Sequence, residues 1–361
     1  LNFLSSTYLI NYHNKDEKID CAYLYKAIVI RPSFIHHPVH GDVPLASNYV
    51  HIYKTFSCSI GTPNNGEFTF HLCGTYFCQQ NGFTSVCAHA ALCMIMNNLD
   101  PDIFNTAGHG EITTNEINRI LEQEGMPFRK TISTPGLKTS QIKMILRKYG
   151  LKEDTDYNFV TDPVQNRNFD YNDWVYNYVE SKCPVLLCFN AIGIEYVVPV
   201  LGHTLNTDLW RPEAEKVYSS SVSSRIDLNK YKPSSAWVDN LIIHDDNFGP
   251  YFHLSVDALK RATLPKLDPS FRATYGLAIV PKDVCTTKLE AESASIVVIE
   301  LLVKKWLNSG GEIDRWSFLL LKNRPTQGSD TRERSKIWVI RSLLTTRDVY
   351  LTSLKNQKSF E

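Results

Sequence analysis

Up to residue 72 the chain alternates apolar and polar positions, is rich in Tyr, Ile and Val, and is broken by turn clusters at His40-Gly41-Asp42 and Thr62-Pro63-Asn64-Asn65-Gly66. That period of two predicts a small β-rich region. The texture then changes to capped helices. Cys87, Ala90, Ala91, Met94 and Ile95 share one helical face. Thr113 and Glu116 form a capping-box pattern before Ile117, Ile120 and Leu121, and Gly125 closes that helix. Ser140 is the expected cap of a third helix carrying Ile142, Ile145 and Leu146 and stopping at Gly150. A fourth runs from Tyr171 to Ser181, with Cys183-Pro184 ending it.

Buried-strand runs follow at Val185–Phe189, Tyr196–Leu201, Val238–Ile243 and Tyr275–Val280, with a short helix expected from Ser255. Pro199 cannot donate to a ladder, so its strand is expected at a sheet edge or with a bulge. Beyond Pro281, a helix over 288–307 and strand-like runs at Trp316–Leu321, Ile337–Ile340 and Val349–Leu351 predict an α+β extension. Helices first and antiparallel-looking strands afterwards give an α+β class, divided at 1–72, 73–282 and 283–361.

The 361 residues carry 38 basic and 38 acidic side chains, well mixed, with no Lys/Arg block of the kind that tracks nucleic acid. The longest apolar run, Ile296 to Val303, is interrupted by Glu300 and falls short of the roughly 20 residues a membrane span needs. Nine cysteines, an odd number sitting mostly in apolar surroundings, favour reduced thiols in a cytoplasmic setting. Cys183, Cys188 and Cys285 read as small core residues. A start at Leu1 suggests a fragment or a processed chain.

One stretch carries chemistry: Gln79-Gln80-Asn81-Gly82-Phe83-Thr84-Ser85-Val86-Cys87. A Gln- and Gly-bearing loop leads into a helix with Cys87 in its first turn, where free backbone N–H groups favour a thiolate. An upstream Gln is a candidate donor to an oxyanion. The competing reading makes Cys87 a small apolar residue on a buried stripe. His89 is the wrong partner, since residues two apart on a helix do not face each other. His203 follows one strand, and Asp245, Asp246 and Asn247 follow another; they are the candidate base and orienting groups. Asp245 also fits plain turn chemistry.

Within the cluster Cys73, Cys78, Cys87, His89 and Cys93 only Cys73-x₄-Cys78 has a zinc-like spacing, and Asp245-Asp246-Asn247 lacks the glycine and glutamate of a calcium loop, so neither a metal nor a cofactor is expected.

Several of these segments together resemble the papain-like cysteine peptidases, most of all those that remove double-glycine leaders from bacteriocin precursors. The likeness covers about residues 74–282. It rests on Gln80 with Cys87-Ala88-His89-Ala90-Ala91-Leu92, on the Thr-capped helix, on Pro184-Val185-Leu186-Leu187, and on His244-Asp245-Asp246-Asn247-Phe248-Gly249-Pro250-Tyr251. It implies a papain-like helical half packed on an antiparallel sheet, Cys87 as nucleophile, Asp245 as orienting group and Gln80 as oxyanion donor. Two departures stand out. The Gln80-to-Cys87 spacing is one residue longer than in relatives, which leaves Gln79 or Asn81 open for that role. Where relatives open the next strand with His, this chain has Glu195-Tyr196. Either His203 is the base or the domain has lost it.

The leading expectation is therefore a cysteine hydrolase that cleaves a peptide or isopeptide bond in a protein substrate through Cys87, His203, Asp245 and Gln80. The alternatives are an inactive domain that binds peptide in the same cleft, and a thiol acyltransferase. The oligomeric state is not legible.

Overall fold

The computed structural model describes residues 8–14, 19–30, 34–37, 41–44, 49–62, 66–80, 87–106, 108–126, 136–158, 171–191, 194–205, 235, 238–256 and 271–284, with isolated positions beyond. The architecture is α+β, with every strand pair antiparallel. The helix and strands expected in the C-terminal extension, and Cys285, lie outside the described residues. So does all but the first residue or two of the helix expected from Ser255, where a strand runs up to Ser255 itself.

The N-terminal strands are β1 (Tyr8–Asn14), β2 (Ile19–Ile30), β3 (Phe34–His37), β4 (Gly41–Pro44), β5 (Tyr49–His51), β6 (Lys54–Thr62) and β7 (Gly66–Phe77). Four of them form a sheet in the order β1-β2-β7-β6, and β3 pairs with β4. Strand β7 runs straight through residue 72. At Gly74 the β2 backbone comes so close that a Cβ would lie 2.7 Å from the Val29 carbonyl oxygen, the close approach that an interior strand glycine marks.

Four helices follow: α1 (Cys87–Asn98), α2 (Pro101–Phe104), α3 (Thr114–Gln123) and α4 (Thr139–Lys148). Helix α1 is buried on every side from Ala88 to Asn98, not on one stripe, because it is wedged against β7, α3 and the later strand Ile194–Leu205. Its small residues allow that close packing. Thr113 caps α3 by accepting the Glu116 N–H at 3.3 Å. The reciprocal half of the expected capping box is missing, since the Glu116 carboxylate turns to Arg119 at 2.5 and 2.8 Å. Helix α4 starts earlier than expected. Lys138 is its N-cap rather than Ser140, and the Lys138 N–H is taken by Gln141 Oε1 at 2.8 Å. Gly125 and Gly150 stop α3 and α4 with φ of +69° and +70°, the left-handed turn that glycine adopts without a Cβ clash.

The rest is β8 (Lys152–Asn158), α5 (Tyr171–Glu180), β9 (Val185–Ala191), β10 (Ile194–Leu205), β11 (Val238–Asp245), β12 (Gly249–Ser255) and β13 (Phe271–Val280). These strands form one sheet in the order β12-β11-β10-β9-β13-β8, and β5 joins the far half of β10 at Gly202–Thr204. Strand β10 therefore lies in the interior, not at an edge as Pro199 allowed. The irregularity appears one step on, as a register shift against β11 between Val200 and Gly202. No described helix is long and apolar enough to cross a membrane.

Two asparagines at the end of α1 hold the layers together. Asn97 gives its amide hydrogens to Cys93 and Ile112 carbonyls at 2.9 and 2.7 Å and takes the Ile112 N–H at 2.9 Å. Asn98 takes the Tyr76 N–H at 2.7 Å and donates to the Tyr76 carbonyl at 3.0 Å, tying α1 to β7. Asn98→Ala strands two buried backbone groups, so a urea melt is expected to show a loss of about 2–4 kcal/mol.

Candidate functional site

The N-terminus of α1 meets the start of β10 and the turn between β11 and β12. Cys87, half-buried, opens α1. Burial pushes its thiol above the ordinary cysteine value. The Val197 backbone N–H and those of Ala88 and Cys87 itself pull it down, while the Asp246 carboxylate pushes it up. None of these groups is an imidazole.

The neighbour of Val197 on β10 is Tyr196, and its phenol joins the turn. Tyr196 Oη lies 3.0 Å from Asp245 Oδ1 and 2.5 Å from Asp246 Oδ1, and it accepts from Asn247 Nδ2. A phenol has one proton and cannot donate to two carboxylates at once. Its proton goes to the nearer oxygen, on Asp246, which is 3% exposed, whose Oδ2 has no hydrogen-bond partner among the described residues, and which burial with the charge of Asp245 raises to about 6. The same burial and carboxylates drive the Tyr196 phenol far above its usual range, so it stays protonated.

Asp245 also accepts the Asn247 and Phe248 N–H groups, both at 2.9 Å. Turn chemistry and site membership, read from the sequence as rivals, are both present in one carboxylate. Gln80 reaches the same cluster, giving an amide hydrogen to Asn247 Oδ1 at 2.9 Å. The structure thus brings Cys87, Gln80 and Asp245 together at the N-terminus of α1, with Asp246, Asn247 and Tyr196.

His203 is not there, and the expectation that it serves Cys87 as a base is corrected. It lies six residues along β10 from Val197, about 20 Å at strand rise, paired with Leu241 and Val50. Its ring is fully buried, 4.8 Å from the Tyr176 ring, with Nε2 2.6 Å from Glu180 Oε2. Strand β10 runs on past Leu201 because β5 and β11 pair with it there, which carries His203 into the core. The other nearby imidazoles are also occupied by packing. His89 is buried with Nε2 3.1 Å from Asn118 Oδ1, and His244 sits between Phe77 and Tyr251, its pKa lowered by burial to about 3.

The chain matches no family model and no curated protein with which it was compared.

Burial of Asp246 couples the stability of the fold to pH. The Asp246 pKa rises from 3.8 to about 6 on folding, so its stabilising share is complete below pH 3.8 and is lost as pH climbs through about 6. Asp246→Asn is expected to flatten that slope and to stabilise the fold near pH 7.5 by about 1–3 kcal/mol, read from urea melts across pH.

Proposed function

We infer that residues 73–282 form a papain-like domain whose cleft binds an extended peptide segment of a protein partner without hydrolysing it. One observation carries this reading: the strand that faces Cys87 presents Tyr196 to Asp245, where a hydrolase of this kind needs an imidazole. A half-buried thiol above its normal pKa, near a carboxylate and a phenol that stays protonated, has no imidazole among the described residues to ionise it near neutral pH. Glu195 is the other residue at the family's histidine position, and a carboxylate is by its nature too weak a base for a thiol.

The rim supports a binding role. Phe248 and Phe252, 77% and 41% exposed, stack 5.6 Å apart beside Asn247. Strand β12, which carries Phe252, ends the strand order among the described residues. An extended segment can add to such an edge through backbone hydrogen bonds, with aromatic side chains as anchors.

The hydrolase reading keeps one observation in its favour, the convergence of Gln80, Cys87 and Asp245. A proteome-derived peptide library separates the two. Retention of peptides on immobilised protein, with no new termini relative to Cys87→Ala, supports the binder. Cleavage that disappears in Cys87→Ala restores the hydrolase.

A further inference from the structure

A second cavity lies away from the thiol cleft, between the sheet of β2, β6 and β7 and the helical layer. Its volume is about 360 Å³, within the range of small-molecule sites, which favour the junctions between structural units. The Phe56 and Tyr149 rings form part of its walls, and its charged lining includes Lys26, Lys54 and Glu111.

The charges are not balanced. Glu111 has both oxygens engaged: Lys26 Nζ donates to Oε2, and the Tyr76 hydroxyl donates to Oε1 at 3.1 Å. Lys54 is left over. It makes no ion pair among the described residues, and its ammonium sits 5.0 Å above the Phe56 ring. Asp100 acts on it only through its field, since Asp100 Oδ1 caps α2 by accepting the Asp102 N–H at 3.0 Å. Burial pulls the Lys54 pKa down against the raising field of Asp100, the mark of a cation short of water. A half-buried ammonium against aromatic walls is matched by a negative group on an apolar body. A cationic ligand is disfavoured, because the lining sets two ammonium groups against one carboxylate, and that carboxylate is already paired with Lys26.

We propose that this cavity binds a small organic anion, a carboxylate or a phosphate on an aromatic body, with Lys54 as its counter-charge. The site is independent of the thiol cleft and of what that cleft does.

Calorimetric titration of the full chain with benzoate and with phenyl phosphate tests it, using neutral benzamide and inorganic phosphate as controls. At least one of the two aromatic anions is expected to saturate at a Kd of about 1 mM or tighter, with benzamide silent; which one wins identifies the head group. Binding is expected to weaken about tenfold or more in Lys54→Met and less in Lys54→Arg. Failure of both aromatic anions to saturate, or undiminished binding by a folded Lys54→Met, overturns the proposal. Should Lys54→Met not fold, reductive methylation of the wild-type chain reads the same contact. The winning anion is expected to slow dimethylation of Lys54, followed by mass spectrometry, and an unchanged rate overturns the site.

Discussion

Replacing His203 by alanine is expected to cost the fold about 3–5 kcal/mol while leaving the reactivity of Cys87 where it was. The reason is the company His203 keeps. It lies 2.6 Å from a Glu180 carboxylate that is itself 4% exposed, so removing the ring leaves a buried acid without its imidazole partner. Glu180→Ala is expected to cost a similar amount. Replacing both by apolar residues of similar size, Glu180→Met with His203→Leu, is expected to recover much of the loss, because a buried pair is expensive to desolvate and cheap to replace as a unit. Equilibrium urea melts give the stabilities, and iodoacetamide labelling gives the thiol rate. A folded His203→Ala with near-normal stability and a collapsed labelling rate would return His203 to the role of base.

The second large effect is a gain. In Tyr196→His the labelling rate of Cys87 at pH 7 is expected to rise about tenfold or more. An imidazolium beside the sulfur lowers the thiol pKa, and the larger thiolate fraction outweighs the lower intrinsic nucleophilicity of a weaker base. The imidazole is shorter than the phenol, so its nitrogens stay near the β10 backbone, where the Val197 N–H already meets the sulfur. Asp245, held by two turn N–H groups, remains in place as a carboxylate whose field favours the charged ring. Cys87→Ser in the same background is expected to remove the added labelling. An unchanged or slower rate would mean that position 196 does not govern the thiol.

Local chemistry explains which parts of this picture were legible in the sequence. The start of α1, the Thr113 cap and the stops at Gly125 and Gly150 are decided within a few residues, and each can be read directly. The end of β11 is equally local, since Asp245-Asp246-Asn247-Phe248-Gly249 is turn chemistry and the turn forms there. The fate of His203 is not local. Apolar alternation fades at Leu201, yet β10 continues to Leu205 because residues 49–51, far away in the chain, pair with it. No period or spacing announces that pairing. Nor does any announce Glu180, read only as the last turn of a helix, as the partner waiting in the core. The capping box at Glu116 failed for a competing local reason, because Arg119 three residues on offers the carboxylate a full charge. The cavity around Lys54 draws on three strands, two helices and a loop, so no stretch of sequence could have marked it.

The dependence on pH of the alkylation rate of Cys87, followed by mass spectrometry from pH 5 to 10.5 on the wild-type chain, tests the central claim most directly. A half-buried thiol under the field of Asp246, with no imidazole among the groups acting on it, is expected to react negligibly through neutral pH and to rise with a single inflection above 9, its ordinary value. A rate that is already on a plateau below pH 7 would reveal a thiolate paired with a cation, and would contradict the account.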